Sequence, residues 1–198
     1  MLRKDVTYGT IGRGDKGETE KARLRREREG WFSIYAPSHL PGIDIGCGAN
    51  PIYETFFKWD IIYGDGDATY MDGVPDEQYS TVFASHLLEH LQDPVTAVRN
   101  WWRILKPGGY LIINVPHRDL YEKKKELPSR WNSDHKWFWL PATENPPYTL
   151  SLAHVMGAGT GAKTIFVRVL DEGYSSNGDN HPSGEFSIEG IVQKVKGM

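Results

Sequence analysis

The heptapeptide SHLLEHL (85–91) contains two histidines and a glutamate at a spacing that could bind a metal ion. The pattern His-x-x-Glu-His on a helix is typical of zinc proteases with an inverted motif. Such a site needs a third protein ligand and a helix already formed at His86. Here His86 directly follows the apolar, β-branched stretch STVFAS (80–85), so we predict that it lies at a strand end. We therefore do not expect zinc proteolysis, and we expect Glu89 and His90 to pack or to hydrogen-bond at the start of a helix.

A glycine-rich turn in DIGCGANP (44–51) could bring the backbone close to a ligand. The turn follows the apolar run GIDIG and precedes PIYETFF, which predict a strand and the start of a helix. Two glycines spaced G-x-G permit a sharp turn, and the helix that follows presents free N–H groups. A predicted second strand ends in Asp65 about twenty residues further on, where an acidic side chain meets a ribose diol in such folds.

A third pattern, GAGTGAKT (157–164), nearly matches a phosphate-binding P-loop. That motif requires a glycine directly before the lysine, a strand before the loop and a helix after it. This chain has Ala162 at the glycine position, and the predicted order is helix and then strand. We therefore predict a glycine-rich connection and not a nucleotide-hydrolysis site.

These residues must be positioned by the elements around them, and short apolar runs alternate with helical stretches along the chain. Seven strands are predicted, at GIDIG, DIIYGD, ATYMD, STVFAS, YLIINVP, TIFVRVL and FSIEGIVQKV. The segment PVTAVRNWWRIL (94–105) has helical spacing, with Val95, Val98, Trp102 and Leu105 on one face, and KPGG ends it. TLSLAHVM (149–156) predicts a last helix. This alternation is typical of a doubly wound α/β sheet.

The composition indicates one globular domain with an N-terminal extension. The chain has 198 residues and a net charge of −3. Residues 1–30 contain nine Lys or Arg and six Asp or Glu, and KARLRREREG predicts an exposed charged helix from Thr19 to Gly30. Alternatively, GRGDKGE and this helix fold over a ligand as a lid. We divide the chain into a charged arm and helix (1–35), followed by an α/β domain (36–198) with a lid-like excursion at 117–148.

The same composition argues against several classes of partner. Residues 31–198 are acidic and show no basic stripe, which disfavours nucleic acid. No apolar run approaches the roughly 20 residues needed to cross a membrane. The single cysteine, Cys47, excludes an internal disulfide framework, and the N-terminus lacks the apolar core of a signal peptide. We therefore expect a cytoplasmic protein.

Taken together, the motifs resemble those of the class I S-adenosylmethionine-dependent methyltransferases that act on small molecules. The matching segments are DIGCGAN (44–50), YGDGDA (63–68), YMDGVP (70–75), FASHLLEHLQDP (83–94) and RILKPGGYLIINVP (103–116). They follow the family's order and spacing over roughly the middle 75 residues. The resemblance implies a Rossmann-like, mostly parallel seven-stranded sheet with helices on both faces and an antiparallel last strand.

The resemblance also implies a cofactor, S-adenosylmethionine, and residues that bind it. Gly46, Cys47 and Gly48 would line its methionine part, Asp65 would hold the ribose hydroxyls, and Asp72 with Met71 would hold the adenine edge. Because the stretch between Asp65 and Asp72 is short, Asp67 could take the ribose role instead. The full predicted cofactor set is Asp44, Gly46, Cys47, Gly48, Asp65, Asp67, Met71, Asp72 and Ser85.

The segment VPHRDLYEKK places His117, Arg118 and Asp119 at a strand's carboxyl end, beside His86 on the neighbouring strand. A hydroxyl acceptor must lose a proton during methyl transfer, and a histidine with a near-neutral pKa suits that task. His117 is the first choice as base, followed by His86 and His135. Alternatively, His117 caps a strand or binds substrate without moving protons. Arg118 pairs with an anionic acceptor, or merely with Asp119 or Glu122.

The excursion is rich in aromatic and polar side chains, and it includes Trp131, Asp134, His135, Trp137 and Trp139. Such a set suits stacking on a sugar or another flat acceptor, with Trp131 and Trp137 as candidate substrate contacts. Alternatively, these aromatic residues cover the sheet as core. A divalent metal is not favoured, although four histidines (His86, His90, His117 and His135) with Asp119 or Asp134 could gather around one.

We therefore predict transfer of a methyl group from S-adenosylmethionine to an oxygen, or less readily a nitrogen, of a small molecule or glycan unit. Two other functions stay open at this point. One is methylation of a protein or a nucleotide, and the other is a cofactor-binding module without catalysis.

Overall fold

The computed structural model describes residues 18–159 and 161–195. The α-helices of these residues are α1 Glu18–Arg28, α2 Trp31–Tyr35, α3 Pro94–Ile104 and α4 Leu152–Gly157, and a π-helical turn spans Arg118–Glu122. The strands are β1 Gly42–Ile45, β2 Phe57–Trp59, β3 Tyr79–Ser85, β4 Leu105–Pro116, β5 Phe138–Leu140, β6 Thr149–Ser151, β7 Ala162–Leu170 and β8 Ser187–Lys194. Short 3-10 turns lie at Ile61–Tyr63 and Leu88–His90.

The main sheet has six strands in the order β2-β1-β3-β4-β8-β7. The first four in that order are parallel, and β8 runs antiparallel to both β4 and β7. The mostly parallel α/β fold and the antiparallel last strand are thus confirmed, whereas the expected count of seven strands is wrong. The predicted third strand, ATYMD (68–72), is a turn and adds no strand beside β2.

Successive side chains of the central strands point to opposite faces of the sheet, as strand geometry requires. On β3, Val82 and Ala84 join a core shared with α3 and α4, whereas Phe83 joins a second core with Trp31 of α2. On β4, Ile112 belongs to that second core. The sheet is therefore covered by helices on both faces, as predicted.

The connection from β1 to β2 differs most from the prediction. PIYETFF forms turns and begins β2, not a helix, and DIIYGD is a 3-10 turn after β2, not a strand. The reason is Asp60, whose Oδ1 accepts a hydrogen bond from Ile62 N at 3.0 Å and caps the turn. Ile61 and Ile62 consequently point outward, with 83% and 59% of their surface exposed. Two β-branched apolar residues here do not indicate a buried strand.

Helix α3 was predicted almost to the residue. Asp93 caps it by accepting from Thr96 N at 2.9 Å, and Pro94 occupies the first turn, where its missing N–H costs nothing. Its apolar face includes the fully buried Trp101, whose indole N–H donates to Ala68 O at 2.9 Å. This contact ties α3 to the turn that precedes Met71.

Helix α1 occupies the predicted segment, but it is not simply a solvated helix. Arg25 and Arg26 are 6% and 4% exposed and reach two buried glutamates near or on β8. Arg25 Nε lies 3.0 Å from Glu185 Oε1, and Arg26 Nη2 lies 2.6 Å from Glu189 Oε2. These pairs hold α1 against the sheet. The segment GRGDKGE proposed as part of a lid lies, except for its last residue, outside the described residues.

The excursion forms structure of its own beyond the end of β4. Its β5 pairs in parallel with β6 in a separate two-stranded sheet, and His117 forms an isolated bridge with Trp139. Trp139 is fully buried, which supports the core interpretation for this residue. The glycine-rich segment 157–164 joins α4 to β7, as predicted, with residue 160 outside the described part. Among the described helices, none has the length and apolarity required to cross a membrane.

Candidate active site

The carboxyl ends of β1, β3 and β4 lie side by side, and each is followed by a predicted site residue. β1 leads into the Gly46–Gly48 turn, β3 ends at Ser85 and leads to His86, and β4 leads to His117. In open α/β sheets, ligands bind outside this edge. The structure therefore brings these candidate residues to one edge of the sheet.

The two glycines of the turn are there for different reasons. Gly46 has φ +73°, and an added Cβ would lie 2.8 Å from Leu87 Cδ2, so no side chain fits. Gly48 has φ +51°, and an added Cβ would meet no atom within 4 Å. Gly46 is thus required for packing against the segment after β3, whereas Gly48 faces open space where a ligand can approach the backbone.

Asp60 is the acidic residue that follows the second strand, and the sequence reasoning missed it. Its Oδ2 accepts a hydrogen bond from Gly48 N at 2.8 Å, which fixes the glycine turn to the end of β2. Asp65 Oδ2 accepts from Asp60 N at 3.0 Å and therefore lies beside it. Asp67 is exposed, and its Oδ1 accepts from Thr69 N at 2.7 Å. Asp65 does not end a strand, because the predicted strand is a turn.

The remaining members of the predicted cofactor set differ in burial, and Met71 O accepts a hydrogen bond from Arg103 Nη2, in the last turn of α3, at 3.2 Å. Met71 is fully buried with φ +53°, whereas the neighbouring Asp72 is exposed. Ser85 is half-buried, and its Oγ accepts from Asn114 Nδ2 at 3.3 Å. Burial and the charges of Asp44 and Asp60 raise the pKa of the Cys47 thiol to about 12, so it stays protonated and is a poor nucleophile.

Asp44 lies beneath the turn and positions it. Only 2% of its surface is exposed, and its Oδ2 accepts from Ile52 N at 2.6 Å. Burial raises the pKa of this carboxyl to about 7, although the Ile52 N–H and the charge of Arg26 act in the opposite direction. Asp44 therefore braces the far end of the loop through Ile52 N.

Replacing Asp44 by asparagine is expected to change the pH dependence of stability. A pKa raised in the folded state means that ionisation opposes folding, so wild type loses stability as pH rises from about 4 to about 7. Asparagine does not titrate and can still accept from Ile52 N. Relative to wild type, the variant should gain up to about 4 kcal/mol across this window. Urea unfolding at pH 5, 6, 7 and 8 measures the difference, and a constant difference would contradict the assignment.

His117 caps the turn that follows it, which was the alternative to its role as base. Its Nδ1 accepts from Asp119 N at 3.1 Å and from Leu120 N at 3.3 Å. The neutral ring then carries its proton on Nε2. Burial lowers the pKa of His117, despite the charge of Asp119, which raises it. The lone pair that would take a proton is therefore occupied by the backbone.

Arg118 does not face a ligand. It is 6% exposed, its Nε lies 2.7 Å from Asp119 Oδ1, and its Nη1 lies 3.4 Å from Thr149 Oγ1. This is the pairing with Asp119 that the sequence left open. The prediction that Arg118 binds an anionic acceptor is not supported by this position.

His86 lies directly after β3 in the left-handed conformation, with φ +53°. Its backbone N–H donates to Asn114 O at 2.9 Å, which holds it at the strand end. Nε2 lies 3.3 Å from Ser187 Oγ, and Nδ1 lies 3.5 Å from Glu89 Oε1. The side chain is 26% exposed, so the ring is within reach of a ligand at this edge.

His135 and the tryptophans of the excursion are more enclosed. His135 is 6% exposed, and its Nδ1 lies 2.8 Å from Glu122 Oε1, a buried carboxylate that the sequence analysis did not single out for His135. Trp131 and Trp137 are half-buried and donate their indole N–H groups to Tyr121 O and Leu91 O. They close the excursion over the segment after β3.

Two clefts lie away from this edge. One, of about 420 Å³, is bordered by Pro37, Lys106 and Tyr110 near the amino end of the sheet. The other, of about 250 Å³, lies between α3 and the end of α4, beside Trp102 and Met156. Neither is lined by the glycine turn or by His86, so the candidate site rests on the convergence of side chains at the carboxyl edge.

Comparisons with known proteins agree with this geometry. A family model described as a methyltransferase domain matches residues 39–113. A SAM-dependent methyltransferase from Archaeoglobus fulgidus shares the fold with a TM-score of 0.55 and 18% identity, covering 89% of this chain and 94% of that one. One from Aquifex aeolicus has a TM-score of 0.50 and 12% identity, covering 91% and 100%.

A third similar structure is a chain from the complex of the Haloferax volcanii Trm112 methyltransferase activator. Its TM-score is 0.53 at 10% identity, and the match covers 91% of this chain and 97% of that one. No curated protein has a matching sequence. Residues 39–113 thus match a methyltransferase domain, and the chain shares the fold of these S-adenosylmethionine-dependent methyltransferases, as the sequence predicted.

Proposed function

We propose that the glycine turn and the acidic residues after β2 bind S-adenosylmethionine. The observation that carries this proposal is Asp60, whose carboxylate lies at the carboxyl end of β2 and contacts Gly48 N at 2.8 Å. In this fold class an acidic group at that place binds a ribose diol. Asp60 therefore takes the ribose role assigned from the sequence to Asp65 or Asp67, and Asp65 supports it from 3.0 Å.

The other parts of the cofactor fit the residues around this contact. The open side of Gly48 admits the methionine part beside Gly46 and Cys47. The exposed Asp72, next to the buried Met71, suits the adenine edge. When bound, S-adenosylmethionine supplies an electrophilic methyl group, and the residues of this chain bind and orient it.

The acceptor is proposed to bind on the β3 and β4 side of the same edge, where His86 takes the proton from its hydroxyl. His86 replaces His117 in this role, because the Nδ1 lone pair of His117 accepts two backbone N–H groups, whereas Nε2 of His86 meets the Ser187 hydroxyl at 3.3 Å, which can accept as well as donate. His135 is too deeply buried to reach an acceptor without rearrangement. Alignment of acceptor and methyl group by the surrounding residues contributes to the rate as well.

The proposed acceptor is a small molecule or glycan unit with a free hydroxyl. The excursion supports it, because Trp131 and Trp137 present half-buried aromatic surface with their N–H groups already bonded to the backbone. Such rings can stack on a sugar or another flat molecule.

An acceptor screen that begins with sugars, read out by release of S-adenosylhomocysteine, tests this function. With an acceptor found, His86→Gln should lower kcat by about 100-fold or more without changing the Kd of S-adenosylmethionine. His117→Ala should keep kcat within about threefold of wild type, because it loses only a cap. Its free energy of unfolding should fall by about 1–2 kcal/mol. A large loss of kcat in His117→Ala, with little change in His86→Gln, would instead indicate that His117 is the base.

A further inference from the structure

Three side chains beside the proposed acceptor site converge as a set of potential metal ligands. Glu89 and His90 belong to the 3-10 turn after β3, and His135 comes from the excursion. Their ligand atoms all lie within 4.8 Å of one another. Of the histidines that the sequence offered as possible metal ligands, His90 and His135 are thus brought together, with Glu89 as the carboxylate.

The carboxylate of Glu89 is buried without a hydrogen-bond donor. Its side chain is 1% exposed, and within the described residues neither Oε1 nor Oε2 accepts a hydrogen bond. His86 Nδ1 lies 3.5 Å from Oε1. Burying a carboxylate in this way is costly, and native proteins rarely leave such a group unsatisfied. A cation between Glu89 and the two histidines would remove this cost.

Both histidines have a carboxylate at Nδ1. His135 Nδ1 lies 2.8 Å from Glu122 Oε1, and His90 Nδ1 lies 2.9 Å from Asp134 Oδ2. A carboxylate at Nδ1 fixes the proton there and leaves Nε2 free to bind a metal, which is the usual arrangement around metal-binding histidines.

The carboxylate behind His135 is itself held in place. Glu122 is 1% exposed and accepts hydrogen bonds from Ser129 Oγ at 2.7 Å and from Arg130 N at 2.9 Å. The contact behind His135 thus belongs to a buried network, whereas Asp134, behind His90, is 65% exposed and also pairs with Lys136.

We propose that Glu89, His90 and His135 bind one divalent transition-metal ion, with Zn²⁺ as the best match. Two histidines and one glutamate with an open position form a ligand set found in catalytic zinc sites, and imidazole also suits Fe²⁺, Ni²⁺ and Cu²⁺. Mg²⁺ prefers oxygen ligands and does not match this set. Binding of the ion does not depend on the proposed methyl transfer.

Calorimetric titration of metal-free, untagged protein with Zn²⁺ tests the site directly. We expect one ion per chain, and an affinity at least about 100-fold weaker in Glu89→Gln and in His135→Gln. His154→Gln is the matched control, because His154 is a 74% exposed histidine paired with Glu144, and this variant should bind like wild type. Titration with Co²⁺ gives an absorption spectrum that reports the ligand set independently.

Thermal unfolding separates loss of the ion from loss of the fold. Without metal, Glu89→Gln should be at least as stable as wild type, because it replaces a buried charge that has no donor. Zn²⁺ should raise the Tm of wild type and not that of the variant. Absence of saturable Zn²⁺ binding, equal affinity in Glu89→Gln, or a metal-free Glu89→Gln that is clearly less stable than wild type would each overturn the proposal. No measurement here contains S-adenosylmethionine, so its outcome is independent of the cofactor site.

Discussion

Replacing Arg26 by methionine is expected to lower the free energy of unfolding by about 3 kcal/mol. Arg26 is 4% exposed and pairs at 2.6 Å with Glu189, which is fully buried on β8. Removing the arginine leaves that carboxylate with less compensation, although Arg168 stays at 3.0 Å. Contacts of the guanidinium with the rings of Trp31 and Phe83, at 5.0 and 5.3 Å, are lost as well.

The same pairing gives the sign of the pH dependence. Burial raises the pKa of Glu189, but the charges of Arg26 and Arg25 outweigh it and hold this pKa below its ordinary value. The ionised Glu189 therefore stabilises the fold at pH values above the pKa that it has in the unfolded chain. This stabilisation is lost as pH falls through the pKa that it has in the folded protein. The Arg26→Met effect should be largest near neutral pH and smaller in acid.

Arg23→Met is the matched control, because it lies on the same helix. Arg23 is 45% exposed and pairs only with Glu20 and Glu27 among the contacts of the described residues. Exposed pairs of this kind contribute little to stability. Urea unfolding of both variants distinguishes the two positions. Equal, small effects would mean that α1 does not dock on the sheet in solution.

Replacing Asp60 by alanine is expected to weaken binding of S-adenosylmethionine by about 100-fold or more. Two charge-assisted hydrogen bonds to the ribose hydroxyls would be lost, at about 1.5 kcal/mol or more each. The contact between Asp60 Oδ2 and Gly48 N would be lost too, which releases the glycine turn. Asp65→Ala should have a smaller effect, because Asp65 acts through Asp60 N.

Asp179→Ala serves as control, since Asp179 is a fully exposed carboxylate on the β7–β8 connection and should not affect binding. Isothermal calorimetry gives the Kd of each variant, and thermal unfolding checks that each is folded. A larger loss in Asp65→Ala or Asp67→Ala than in Asp60→Ala would restore the assignment that the sequence motif favoured.

The parts of the fold that were predicted correctly are those formed by long or strongly patterned segments of the sequence. STVFAS and YLIINVP are apolar, β-branched runs buried on both faces, and α3 has a cap, a first-turn proline and helical spacing. These signals are local, so no knowledge of distant contacts is required. The end of each such strand could then be placed at one edge of the sheet.

The region between β1 and β3 could not be predicted in the same way. β2 has only three residues, and Phe57 at its start is 45% exposed, so it lacks a clear apolar pattern. The neighbouring Ile61 and Ile62 gave the stronger strand signal, although the cap by Asp60 turns them to solvent. Misplacing this strand moved the expected ribose-binding residue from Asp60 to Asp65.

Other features of the site depend on contacts between distant residues. The pairs of α1 with β8 join residues 160 or more positions apart, and His135 meets Glu122 only because the excursion folds back on itself. The role of His117 as a cap depends on the π-helical turn that follows it. The sequence alone shows a charged helix and a histidine at a strand end, and it does not show these contacts.

The most direct test of the central claim is calorimetric titration of the unmodified protein with S-adenosylmethionine and with S-adenosylhomocysteine. We expect one site per chain with a micromolar Kd for both, together with a rise in Tm. Absence of heat and of any Tm shift with either compound would contradict the assignment of the glycine turn and Asp60 as the cofactor site.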